Sequence, residues 1–184
     1  MPEPIQRSVR DSGMAVLDQG FVSIASFATT AALGRMAGPS ELALYSLALT
    51  LLLLLGAAQD SLMSAPYTIY GARLKDGDRA EYAGCTLLFS GVLALAASMT
   101  LALAGAVALS RPGPAGLGPL LLVAAAVAPA MVLREFGRRT SAADLRIGTA
   151  LLLDVSIGIV QIAGLLWLAS RGALSAINGL ALTG

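Results

Sequence analysis

Residues 42–63 read LALYSLALTLLLLLGAAQDSLM, with Asp60 as the one charged side chain. A run this long and this apolar matches the roughly twenty residues that a helix needs to cross a hydrocarbon core. The gap before it, 34–41, holds a single cation, Arg35, whereas the gap after it, 67–81, holds Arg73, Lys75 and Arg79. Working outward from this stretch, the chain repeats the same alternation at every apolar run. Spans are predicted at about 14–33, 42–63, 82–109, 117–133 and 145–168, and a partial one at 173–184. The leader 1–13 and the second and fourth loops carry nine of the twelve Lys and Arg residues, and the other three are Arg35, Arg111 and Arg171, one in each remaining loop. Short loops rich in Lys and Arg stay on the cytoplasmic side. The fold class expected is therefore all-α: a polytopic transmembrane helix bundle of five full spans plus the start of a sixth, its N-terminus cytoplasmic. The domain organisation is a cytoplasmic leader, 1–13, and one bundle, 14–184.

Composition agrees and excludes several function classes. Hydrophobic residues make up 57% of the chain and charged residues 12%, about half the charged share of a soluble domain. A net charge of +1, with the cations confined to short loops, gives no extended basic patch, so no nucleic-acid partner is expected. The chain has no His and only one Cys, Cys85, which leaves no Cys/His metal set and no intramolecular disulfide. No HExxH, phosphate-cradling glycine loop, G-x-S-x-G or Cys-x-x-Cys occurs, so neither an enzyme nor a cofactor is expected.

Local breakers refine the pattern. Arg111-Pro112-Gly113-Pro114 should stop the third span. Pro129 should kink the fourth unless a neighbouring helix or water takes up the carbonyl it frees. Trp167 sits where an aromatic belt is expected. The apolar segment from 173 ends at Gly184, too short to cross a bilayer, and no charged tail follows. The expectation is that these residues are the N-terminal part of a longer protein; the alternative is a complete small protein whose last segment is re-entrant or interfacial. A cleavable signal peptide fits the first span poorly, because Asp18 and Gln19 interrupt its start.

Ionisable and amide side chains inside a span are costly enough to mark candidate sites. Gln19, Ser23, Ser26 and Thr30 recur at helical spacing on one face, beside Asp18, and read either as cavity lining or as hydroxyl and amide contacts between helices. Gln59 and Asp60 close the second span before Pro66, where Asp60 reads as an interfacial ion-pair partner or a cavity group. Asp154 lies about 13 Å down the fifth span, near the bilayer midplane, with Gly158 and Gln161 on the same face. A carboxyl there suits proton or cation coupling; a hydrogen bond to a neighbouring helix is the bland reading. Arg134, Arg138 and Arg139, with Glu135, form a basic cluster that topology alone explains, or that receives an anionic headgroup. Arg35 and Glu41 read as a capped turn with an interfacial ion pair.

Several of these stretches resemble bacterial polysaccharide and O-antigen flippases. They are Leu17-Asp18-Gln19, the turn from Arg35 to Glu41, Tyr45, Gln59 through Ser61-Leu62 to Pro66, Arg134-Glu135-Phe136 to Arg139, and Leu145-Arg146 to Leu153-Asp154. Those proteins belong to the multidrug/oligosaccharidyl-lipid/polysaccharide exporter superfamily. The resemblance implies a two-lobed transporter in the bacterial inner membrane, moving lipid-linked saccharide between leaflets by alternating access, with H+ or Na+ as a coupling ion. It implies membrane lipids and the lipid-linked saccharide as partners, diphosphate attraction by the basic loops, and ion coupling by a group such as Asp154. No Arg is expected at midplane, a departure from the anion-binding cavity of lipid-linked oligosaccharide flippases. The competing readings are a multidrug/cation antiporter of the same superfamily and a small non-transporting membrane subunit of an envelope complex.

Overall fold

A computed structural model describes residues 13, 20, 23–71, 74, 76–111, 114–143 and 147–183. Asp18 and Gln19 lie outside the described residues, as do the side chains of Arg139 and Asp154. Every element among the described residues is helical. Residues 23–32 form α1, which widens into a π-helical turn over Leu33–Ala37. The chain reverses at Gly38, whose φ of 94° is a conformation that a side chain would strain. α2 (Pro39–Gln59) starts on a proline, whose missing N–H has no helical partner to lose at that position.

A second π-helical turn, Asp60–Ser64, joins α2 to α3 (Ala65–Gly71). Its cause is local. Pro66 offers no N–H to the Leu62 carbonyl and its ring crowds that carbonyl, so the helix opens by one residue just before it, with the Ala65 N–H bonded back to the Asp60 carbonyl. The remaining helices are α4 (Asp76–Ser110), α5 (Leu117–Ala143), α6 (Ile147–Ser170) and α7 (Ala176–Thr183).

Three stretches among the described residues, Pro39–Tyr67, Glu81–Ser110 and Leu117–Arg138, are long and apolar enough to cross a membrane, and Val155–Ser170 is a shorter apolar helix. Their outward faces are apolar too. On α4, Leu88, Phe89, Val92, Leu95, Met99 and Leu103 are all exposed, a stripe that lipid tolerates and water does not. The second, third and fourth expected spans thus stand on helices of membrane-crossing length.

Helix ends differ from the sequence reading at the basic loops. α5 continues ten residues past 133, so Arg134, Arg138 and Arg139 stand on helix rather than in a loop. The stretch 134–143, REFGRRTSAA, contains no proline, and an end of apolarity is not a helix stop. α4 likewise begins at Asp76, inside the expected loop 67–81. The α4–α5 turn follows the Ser110 end that Arg111-Pro112-Gly113-Pro114 prescribes.

α4 and α5 pack as an antiparallel pair through small residues. A Cβ on Gly105 would stand 3.1 Å from the Gly118 carbonyl oxygen, and one on Gly118 only 2.6 Å from Leu109 Cγ. Seven residues earlier on α4, Ser98 meets Ala125, seven residues later on α5, which keeps the antiparallel register. The central core joins Tyr45, Ala48 and Leu52 of α2 with Leu120, Ala124 and Ala128 of α5, Ala176 and Leu180 of α7, and Leu33. Ala at positions 124 and 128 lets α2 and α7 approach α5 closely.

The two ends of the bundle differ in their share of Lys and Arg. Ala176 N–H donates to Glu41 Oε2 at 2.7 Å, tying the turn after Leu33 to the turn before α7. The α4–α5 turn joins them, since Gly116 faces Leu44 Cδ1. Arg35, Arg111 and Arg171 belong to these three turns. The opposite end holds the α2–α3 junction, where Tyr67 stacks on Tyr82 (centroids 5.9 Å apart) and meets Phe136 at 6.5 Å, beside the cationic extension of α5.

Candidate functional site

Gln59 ends α2 with its side chain turned into protein and 0% exposed. Its Nε2 donates to the Val132 carbonyl of α5 at 2.9 Å. Its Oε1 is buried and accepts no hydrogen bond among the described residues. An amide half-satisfied in this way is unusual, because a buried acceptor without a donor forfeits the hydration it had in water.

A cavity of about 250 Å³ opens beside it, between the end of α2 and the second half of α5. Leu52, Gln59 and Val132 form the buried inner wall, while Leu53, 57% exposed, stands at the rim. Asp60, Glu135 and Arg138 supply the polar lining. The π-helical turn carries Asp60 to this lining, and the extension of α5 past Pro129 carries Glu135 and Arg138.

Arg138 is engaged by its own helix. Its Nε donates to Glu135 Oε2 at 3.0 Å and its Nη2 to Glu135 Oε1 at 2.8 Å, a bidentate fork between residues three apart. The edge of the guanidinium that matches a carboxylate or phosphate is thereby taken up by Glu135. Arg134 stands one turn earlier on the same helix and does not line the cavity.

The second polar contact joins α6 to α1. Gln161 Nε2 donates to Thr29 Oγ1 at 3.1 Å, and Thr29 Oγ1 donates to the Ala25 carbonyl at 2.9 Å, with both side chains buried. The inward face of α1 is thus Ala25, Thr29 and Leu33, one position away from the expected stripe. Ser23 is exposed, and Thr30 donates its hydroxyl to the Ser26 carbonyl of its own helix at 2.9 Å. The shift has a simple reason: hydroxyl spacing defines a face but not which way it turns, and the apolar pair Ala25 and Leu33 settles the direction. On α6, Gly158, Gln161 and Leu165 share the buried face, four residues after the backbone position of Asp154. Glu41 is spent on α7 rather than in the expected ion pair with Arg35.

The structure therefore brings together Gln59, Asp60 and Arg138, holds Gln161 at a separate helix contact, and adds Glu135, Thr29 and Val132. The spacing of Glu135 and Arg138, three residues on a helix, was a legible signal once that stretch is taken as helical. Among the described residues no group of His, Cys, Asp and Glu is placed to hold a metal ion. What the arrangement offers chemically is an apolar recess rimmed by Asp60 and the Glu135–Arg138 pair, with the Gln59 amide closed off behind its wall.

Helical throughout its elements among the described residues, with three helices long and apolar enough to cross a membrane, the chain has the make-up of a membrane protein, with a small recess between α2 and α5. No protein-family model, curated protein or solved structure matches the chain.

Proposed function

We propose that this bundle is part of a membrane transporter of the flippase type, carrying lipid-linked oligosaccharide or polysaccharide precursors across the bacterial inner membrane by alternating access. In this reading all five apolar segments cross the membrane, the N-terminus is cytoplasmic, and the end holding Arg134, Arg138 and the α2–α3 junction faces the cytoplasm. The observation that carries it is the sorting of Lys and Arg between the two ends of the bundle. Turns with one cation each gather at one end through Glu41, Ala176 and Gly116, and the cation-rich extension of α5 stands at the other. The π-helical turn at Asp60–Ser64 and the proline inside α5 are local irregularities in two long apolar helices, of the kind that functional helices carry. Asp154, entering with α6, is the proposed coupling group for H+ or Na+.

The test has two arms. With Cys85 replaced by serine, single cysteines at Ala115 and Asp78 are labelled with an impermeant maleimide in right-side-out and inverted membrane vesicles. Ala115→Cys should react only in the first and Asp78→Cys only in the second; reaction of both from one side overturns the topology. Cells lacking the protein should retain lipid-linked saccharide on the cytoplasmic leaflet and lose that retention when it is restored. Unchanged saccharide distribution overturns the flippase assignment while leaving the topology standing.

A further inference from the structure

We infer that Trp167 and Arg171, at the end of α6, form a docking point for the phosphate of an anionic phospholipid head group. The inference rests on α6 ending at the membrane surface and not on any cargo. Arg171 Cζ lies 5.2 Å from the centroid of the Trp167 ring, and both side chains are exposed. A ring in the last turn of an apolar helix sits at head-group depth, and the stacked guanidinium is held there with it. The pair offers donors only, the guanidinium N–H groups and the indole N–H, and a phosphate accepts from both.

Two ordinary occupations of such an arginine are closed. At a helix C-terminus it often covers the last carbonyls. Here the Trp167, Leu168 and Ala169 carbonyls already accept from the backbone N–H groups of Arg171, Ala173 and Gly172. An arginine also pairs with a carboxylate, but the turns 34–41, 111–116 and 171–175 hold one acid, Glu41, and its Oε2 accepts from the Ala176 N–H. Arg35, Arg111 and Arg171 meet no carboxylate among the described residues. Poor as these turns are in Lys and Arg, they still carry three cations against one anion. The stack also selects among phosphates. A zwitterionic head brings an ammonium with its phosphate, and the guanidinium already covers a ring face on which an ammonium would rest. An anionic head with an uncharged substituent brings the phosphate alone.

Trp167 is the only tryptophan in the chain, so its fluorescence reports on this point directly. The purified chain is reconstituted in mixtures of phosphatidylcholine and phosphatidylglycerol in which one or the other lipid carries bromine near the top of its acyl chains, a contact quencher of indole. Phosphatidylglycerol should be preferred beside Trp167 by roughly fivefold, the worth of one cation at an anionic surface. Arg171→Gln should remove the preference while brominated phosphatidylcholine quenches as before. Arg171→Lys, which keeps the charge without the flat fork, should retain part of it and guards against a Gln variant that merely misfolds. Arg35→Gln should leave the preference in place. Equal quenching by the two lipids, or a loss of preference in Arg35→Gln as complete as in Arg171→Gln, overturns the proposal. Loss of the preference on adding inorganic phosphate at constant ionic strength overturns it too, by assigning the pair to free phosphate. Quenching by neither lipid removes the end of α6 from the membrane surface, and the proposal with it. None of these results bears on saccharide distribution in cells, so failure here is distinguishable from failure of the flippase assignment.

Discussion

Ser98 of α4 donates its hydroxyl to the carbonyl of Ala125 on α5. That carbonyl is the one Pro129 strands, because a proline has no N–H to return to the residue four before it. In a lipid environment no water stands ready to replace the missing bond, so a neighbouring helix must. Ser98→Ala should cost about 1 kcal/mol in stability, within the range measured for hydroxyl bonds between transmembrane helices. With Pro129→Ala, the new N–H at 129 satisfies Ala125 from within α5, and the Ser98→Ala cost should largely vanish. Unfolding in mixed micelles, read as a double-mutant cycle, checks this; additive effects would show the two are unrelated.

The α4–α5 seam makes a prediction of opposite signs along one helix. Gly105 lies against the Gly118 carbonyl, whereas a Cβ on Gly91 meets nothing within 4 Å. Gly105→Val should destabilise by about 1–3 kcal/mol through overpacking against backbone. Gly91→Ala should be neutral or stabilise by up to about 1 kcal/mol, because it only reduces the freedom of the unfolded chain. Both are read in the same micelle unfolding assay, and equal effects would mean the register is wrong.

The sequence made the three long helices legible, because a run such as Leu51 to Leu55 between charged gaps has few other solutions. It also posed the right question at Pro129, naming a freed carbonyl in need of a partner. It could not name Ser98, since the partner depends on how α4 registers against α5, a matter of Gly105 and Gly118 fitting together thirteen residues apart. At the site, Gln59 and Asp60 stood out by their polarity, and Arg138 by its charge. Their meeting was hidden because charge seemed to mark a loop at 134–139, where α5 in fact continues. Glu41 illustrates the same limit: its bond to Ala176 spans 135 positions, and no local spacing encodes it.

Glu41 also makes a prediction about the far end of the chain. Its carboxylate accepts from the Ala176 N–H at 2.7 Å, at the first turn of α7, where a negative charge also suits the helix dipole. Glu41→Ala should loosen α7 by about 1 kcal/mol, the usual worth of a lost cap. Glu41→Gln, which retains an acceptor oxygen without the charge, should fall between. Limited proteolysis at the exposed turn around Arg171 and Gly172 checks this; equal cleavage in all three proteins would count against the cap.

α6 offers the sharpest separation of structural from functional roles, because Asp154 and Gln161 lie seven residues apart on it and are expected to do different work. Gln161 is tied to Thr29, whose own hydroxyl is spent on Ala25, so the amide is occupied in holding α6 against α1. Gln161→Leu should therefore lower stability by about 0.6–1.7 kcal/mol while leaving the proposed saccharide export unchanged. If Asp154 couples export to a proton or cation, Asp154→Asn should leave the amount of protein in the membrane unchanged and abolish export. Export is measured against membrane abundance in the same cells. Normal export by Asp154→Asn removes it as the coupling group, and loss of export by Gln161→Leu at normal abundance would move that role one helical face-repeat along, to the contact with Thr29.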